Sequence, residues 1–196
     1  WNEWEYNYGD PRNIYETWKN SGNRFKFILD TSMEEMPGNH FNYNTAASNL
    51  IPFILHESTG MSTQSFAQQY LFSPLGIKSD DYIWSEDKLG YKKGGGLNMR
   101  PTDLAKIGLL YLNEGRWEGE QIIPVEWIEK SFTPYFDVRL GTEFGYHWYI
   151  NNFKDIVFFS AEGYMEQKIF ICPEKDLVVI FTGDVTDEFK DNSDII

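Results

Sequence analysis

Apolar residues recur along this chain with two different periods, and the change from one to the other divides it. From Thr45 to His56 the apolar positions Ala46, Ala47, Leu50, Ile51, Ile54 and Leu55 fall at helical spacing, and Thr59-Gly60 supplies a stop. The spacing predicts a helix that begins immediately after Tyr43. Ser62 caps a second helix over 62–71, with Phe66, Ala67, Tyr70 and Leu71 as its stripe and Ser73-Pro74-Leu75-Gly76 at its end. A third opens at Arg100-Pro101-Thr102-Asp103, carries Leu104, Ile107, Gly108, Tyr111 and Leu112 on one face, and closes at Gly115. A fourth, short one follows Pro124 over 125–132.

The final third alternates instead. Residues 145–150, 156–160, 167–172 and 177–182 are β-rich runs separated by Asn151-Asn152, Gly163 and Pro173-Glu174-Lys175-Asp176. Connections this short predict consecutive hairpins and therefore an antiparallel sheet. Helices first and strands last give an α+β arrangement. The opening 21 residues show no sustained period beyond a short helix around 14–20, and Phe25, Phe27, Ile28 and Leu29 form an apolar cluster before the turn at Pro37-Gly38. Residues 80–98, with Gly90 and Gly94-Gly95-Gly96, read as a long loop in which three adjacent glycines let backbone approach a ligand closely.

Composition narrows the classes. With 41% hydrophobic and 24% charged residues the chain is globular and not an acidic disordered segment. Its formal charge of −13 excludes nucleic acid as a partner, since phosphate binding needs a basic surface. The 15 Phe, 12 Tyr and 7 Trp point to broad buried surfaces or an aromatic-lined cleft. Cys172 is the single cysteine, so neither an intrachain disulfide nor a Cys-based zinc site can form. The longest apolar run, 177–181, is far below the roughly 20 residues of a membrane span. Trp1-Asn2-Glu3-Trp4-Glu5-Tyr6 lacks an initiating Met and the order of a signal peptide, so the chain is expected to be a segment of a longer protein and its compartment is unread.

Among chemistry-bearing residues, His40, His56 and His147 share no ligand spacing, and neither a metal nor another cofactor is expected. The pairs Glu34-Glu35, Asp80-Asp81 and Glu86-Asp87 fit solvated loop acids and give no basis for glycosidase chemistry. The glycine run lacks a phosphate-binding pattern. Tyr43 is the informative residue, because it sits between a Pro-Gly turn and a helix N-terminus. The positive end of the helix dipole would favour its phenolate, lower its pKa and suit it to shuttling a proton. A Tyr that packs beneath the loop fits the same position.

The chain carries Phe41-Asn42-Tyr43-Asn44-Thr45, Ser58-Thr59-Gly60-Met61 and Leu71-Phe72-Ser73-Pro74-Leu75-Gly76-Ile77 in that order. The order continues through Gly94-Gly95-Gly96-Leu97-Asn98-Met99-Arg100-Pro101-Thr102-Asp103, Ile122-Ile123-Pro124-Val125-Glu126-Trp127, Gly145-Tyr146-His147-Trp148 and Glu162-Gly163-Tyr164. It resembles the serine β-lactamases and penicillin-recognising hydrolases, in their class C and esterase-like branch. The resemblance implies the C-terminal part of a β-lactamase/transpeptidase-like α+β fold: residues 1–140 as a helical lobe with long loops carrying the Tyr motif, and 141–196 as antiparallel strands of the α/β lobe.

That family uses a Ser-x-x-Lys nucleophile, a Tyr-x-Asn motif, and a Lys/His-Thr/Ser-Gly triplet on the sheet edge. The second maps onto Tyr43-Asn44-Thr45, with Thr45 where the pattern has Asn, and the third onto Ala161-Glu162-Gly163, with Tyr164 next. Ala161 replaces the cation that recognises a substrate carboxylate; relatives with this neutral version resemble esterases and amidases, including aminohexanoate-oligomer hydrolases. The chain's Ser-x-x-Lys string is Ser85-Glu86-Asp87-Lys88, which follows the Tyr motif and whose acids would keep Lys88 protonated and unfit as a base. The nucleophile is therefore expected in a missing N-terminal part of the same protein.

By this resemblance Tyr43 protonates the leaving group, the backbone N–H of Tyr164 supplies half an oxyanion hole, and Thr45, Ala161 and Gly163 contact substrate. Trp148 either lines the cleft with the 94–96 loop or packs on its strand. The substrate is a small amide or ester (a β-lactam, a peptide or a small ester) processed through an acyl-enzyme, and the family points to the bacterial envelope or secretion. The alternative is a non-catalytic relative that binds a peptide, glycan or lipid. Without the upstream helix, the late strands' apolar face, with Phe170, Val178 and Ile180, is expected to lack its cover.

Overall fold

The computed structural model of the chain describes residues 1, 3, 5–33, 35–87 and 89–183. They form two compact units, residues 1–100 with 136–138, and residues 101–135 with 139–183.

In the first unit the helices are α1 (Ile14–Asn20), α2 (Arg24–Asp30), α3 (Thr45–Thr59) and α4 (Thr63–Ala67), the last running on as a π-helical turn over Gln68–Phe72. Each starts where a short polar side chain accepts a backbone N–H from the first turn: Asn13 from Tyr15, Asn23 from Lys26, Asn44 from Ala47 and Ser62 from Ser65. Gly60 ends α3 in the left-handed region. The apolar cluster at 25–29 is thus helical. Its Phe25 ring lies 4.9 Å from Phe53 of α3 and 5.3 Å from Tyr91, edge-on to the latter.

The long loop expected over 80–98 is instead an antiparallel hairpin, β1 (Tyr82–Glu86) and β2 (Lys92–Met99), with Tyr82 opposite Met99 and Trp84 opposite Leu97. Glycine is depleted from strands and erases the alternation that announces one, which is why β2 was illegible. Its glycines serve a close approach. A Cβ at Gly94 would lie 2.6 Å from the Ser48 carbonyl oxygen of α3, and the Gly94 N–H donates to Asn49 Oδ1 at 3.1 Å.

In the second unit α5 (Pro101–Leu112) is followed by a two-residue ribbon, β3 (Arg116–Trp117) and β4 (Glu120–Gln121), and by α6 (Val125–Ser131). The strands β6 (Thr142–Phe144), β7 (Tyr149–Phe153), β8 (Ile156–Gly163), β9 (Gln167–Cys172) and β10 (Leu177–Phe181) of this unit, with β5 (Phe136–Arg139), whose first three residues are counted in the first unit, make one sheet in the order β10-β9-β8-β7-β6-β5. Its pairing from β6 to β10 is antiparallel, as the short connections predicted. The strand expected from Gly145 begins only at Tyr149, because Gly145 N–H donates to Trp148 O at 2.8 Å and His147 takes φ 61°, which closes a turn there.

Trp148, Ile169 and Ile171 form the core of this unit, joined by Leu104, Ile107 and Tyr111 of α5 and by Phe132, Phe159, Val178 and Ile180. Two expectations about this face are corrected. Val178 pairs with Ile171 and Ile180 with Ile169, so these share one face, whereas Phe170 pairs with Val179 and turns to the other, its ring 5.9 Å from Phe158 and 5.7 Å from Phe181. Nor is the inner face uncovered, because α5 lies across β9 and β10. The helix sits close because residue 108 is Gly: a Cβ there would come within 2.5 Å of Val178 Cγ1.

Candidate active site

Asn44 caps α3 with its side chain, its Oδ1 accepting the Ala47 N–H at 2.9 Å, which places half-buried Tyr43 just outside the first turn. The residue that organises this end of the helix is one the motif reading passed over. Glu3 is fully buried, and its carboxylate accepts from the Thr45 N–H at 2.5 Å, the Thr45 hydroxyl at 2.8 Å, the Trp1 indole N–H at 3.1 Å and the Tyr8 hydroxyl at 3.3 Å. No local pattern could have revealed it, since Glu3 and Thr45 stand 42 residues apart. Both polar groups of Thr45 are therefore engaged inside the protein.

The expected lowering of the Tyr43 pKa is corrected. Burial of the phenol raises it above the ordinary tyrosine value; the Glu3 charge adds to this, a hydrogen bond with the Thr45 side chain acts in the opposite direction, and Tyr15 contributes a further rise. A carboxylate against the first turn offsets the positive end of the helix that would have favoured the phenolate. At neutral pH the Tyr43 phenol keeps its proton. A cavity of about 290 Å³ is lined on its polar side by Glu35, His40, Asn42 and Asn44 and on its apolar side by Trp1, Ile28 and Met33; Tyr43 is not part of its wall.

In the second unit Ala161 and Gly163 lie on β8, and Tyr164 begins the turn into β9, with Gly163 paired to Gln167. Ala161 packs against the apolar core, while the Tyr164 side chain is 75% exposed. Gln167 braces this turn, its amide donating to Met165 O at 2.9 Å and to Gly183 O at 2.6 Å. Trp148 is buried in the core, its ring 4.7 Å from Tyr111 and edge-on to Phe132 at 5.4 Å, so of its two readings the packed one describes it.

A polar ladder crosses the same sheet from Thr142 to Asn151 (3.2 Å), from Asn151 to Ser160 (3.0 Å) and from Ser160 to the Glu162 carboxylate (2.8 Å).

Ser85 donates its hydroxyl to the Gly96 carbonyl at 2.9 Å, and Lys88 lies outside the described residues. His56 Nδ1 is 3.3 Å from Met61 O and His40 Nδ1 is 2.9 Å from Glu35 Oε2. Among the described residues no three His, Cys, Asp or Glu side chains gather as a metal site, and no helix is long and apolar enough to cross a membrane.

The beta-lactamase family model matches residues 5–194. The 6-aminohexanoate-dimer hydrolase of Paenarthrobacter ureafaciens is 24% identical over 186 residues, 88% of this chain and 43% of that protein. A penicillin-binding protein homologue from Pyrococcus abyssi superposes with a TM-score of 0.59 at 26% identity, over 74% of this chain and 39% of its own. The penicillin-binding protein of Bacillus halodurans does so with a TM-score of 0.63 at 18% identity, over 85% and 61%. The chain thus spans less than half the length of this curated relative. With the family model covering nearly all of it and the same mixed helical and antiparallel fold in its structural neighbours, the chain belongs to the beta-lactamase family.

Proposed function

We propose that the chain is the C-terminal part of a serine hydrolase that cleaves an amide or ester through an acyl-enzyme, with the nucleophilic Ser-x-x-Lys segment contributed by sequence outside these 196 residues. The observation that carries this reading is Tyr43, held just before the start of α3, with the pKa of its phenol raised by burial and by the Glu3 charge. In the proposed reaction the serine oxygen attacks the carbonyl carbon and its proton passes to the Lys three residues on. Tyr43 gives its proton to the departing nitrogen or oxygen and regains one from that Lys; water then releases the acyl group. The backbone N–H of Tyr164 is the oxyanion donor of the same reading. Ala161 carries no charge, which disfavours substrates that need a cation to hold a carboxylate and favours linear amides and esters. The relative named a 6-aminohexanoate-dimer hydrolase supports an amide of this kind.

The test is kinetic, on the full-length protein with nitrocefin, p-nitrophenyl esters and linear aliphatic amides. Tyr43→Phe is expected to slow acylation roughly 10²-fold or more, the usual scale of a general acid, with no loss of melting temperature. A wild-type rate in that variant removes Tyr43 from the chemistry. The engagement of Thr45 by Glu3 favours a second reading, a non-catalytic binding module. Absence of labelling of the full-length protein by a fluorophosphonate, together with no turnover, would establish it.

A further inference from the structure

We infer that Glu3 is a positioning residue of this site: its buried carboxylate pins the opening segment to the first turn of α3 and presents Tyr43 as an O–H donor. The inference rests on reading Tyr43 as the proton carrier, and it names what holds that residue in its role.

The geometry is specific at both ends of Glu3. Its carboxylate takes the N–H and the hydroxyl of Thr45, one on each oxygen, in the fork arrangement that fixes a carboxylate's plane. Trp1 and Tyr8 donate to the same two oxygens from the opening segment. Its backbone carbonyl is held as well, by Asn13 Nδ2 at 3.0 Å, and the same amide nitrogen reaches Tyr6 O at 2.7 Å. Asn13 Oδ1 meanwhile caps α1 through the Tyr15 N–H at 2.9 Å. The chain of contacts therefore runs from α1 through Asn13 to Glu3 and on to the residue two positions after Tyr43.

A fully buried carboxylate is costly to hold unless donors surround it, and here four do. The consequence for Tyr43 is electrostatic. A second negative charge forming on its phenol would face Glu3 in a partly desolvated setting, so the proton stays on oxygen. Burial acts most strongly on Tyr43, and Glu3 from the opening segment, the Thr45 side chain from α3 and Tyr15 from α1 act on it as well. Tyr8, bonded to Glu3 and with its ring 5.1 Å from that of Tyr15, closes the cluster.

The experiment follows the phenol itself in the full-length protein, by ¹³Cζ-tyrosine NMR titration with the Tyr43 signal assigned by its loss in Tyr43→Phe. Wild-type Tyr43 is expected to titrate above the ordinary tyrosine value. Glu3→Gln should lower that midpoint by about one pH unit, while Glu3→Asp, which keeps the charge, should leave it near wild type. An unchanged midpoint in folded Glu3→Gln, or equal drops in both variants, overturns the inference. Should Glu3→Gln fail to fold, the wild-type protein decides: a Tyr43 midpoint at or below the ordinary value, or rapid hydrogen exchange of the Thr45 N–H, which as the first amide of α3 has no acceptor within the helix, overturns it, and a raised midpoint with that N–H protected supports it. The titration needs no turnover, so it reports on Glu3 even where Tyr43→Phe keeps its rate, and failure of the proton-carrier reading shows in the rate alone.

Discussion

The opening segment of the first unit and the sheet core of the second are held by different chemistry. In the second, Trp148, Ile169 and Ile171 pack beneath α5 with Val178 and Ile180, and the contacts are apolar and non-directional. In the opening segment of the first, Glu3 and Asn13 are fully buried polar residues whose side chains reach between elements with directed hydrogen bonds. Apolar packing scales with the volume removed and tolerates conservative change. Directed bonds to buried groups fail when a single atom is lost, because the partner is left unsatisfied. The region that carries Tyr43 is thus the more specified and the less tolerant of the two, as expected for a site whose geometry must be exact in angle as well as distance.

That contrast can be broken most forcefully in the core. Ile171 is wholly buried, so Ile171→Ala should cost about 2–5 kcal/mol and Ile171→Val only about 0.5–1.5 kcal/mol, read from urea unfolding by tryptophan fluorescence. Equal losses in the two variants would show that the packing does not scale with volume. Next in size is Asn13→Ala, which removes two donations to carbonyls and the α1 cap together. About 1–3 kcal/mol is expected, with faster hydrogen exchange confined to residues 1–20 and the sheet unchanged. Faster exchange across the sheet as well would mean that the opening segment is not stabilised locally. The smallest effect sharpens the comparison from the other side, because the sheet also holds directed bonds in its polar ladder. Thr142→Val keeps shape and loses one donation to Asn151, so about 0.5–1.5 kcal/mol should be lost, measured by the same unfolding. A larger loss than that of Asn13→Ala would reverse the ranking of the two regions.

Much of this architecture was readable along the chain. The stripe from Ala46 to Leu55 and the stop at Gly60 marked α3, and the stripe from Leu104 to Leu112 marked α5, because a helix writes its buried face into every third or fourth residue. The runs at 156–160, 167–172 and 177–182 were strands for the corresponding reason at period two. The hairpin of β1 and β2 was hidden because Gly94, Gly95 and Gly96 have no side chains with which to show a face. The placement of Phe170 with Val178 and Ile180 failed because register, set by pairing with the neighbouring strand, decides which face a residue takes.

Of the candidate site, the sequence by itself placed Tyr43 at a helix start and Ala161-Glu162-Gly163 at the end of a strand, since both depend on neighbours within a few positions. Only the tertiary structure decided the direction in which the Tyr43 pKa moves. The helix end alone would lower it, and burial, joined by the charge of Glu3 brought 42 residues along the chain to the same turn, reverses the sign. Local sequence carries the dipole; the opposing charge arrives only when the chain folds back on itself.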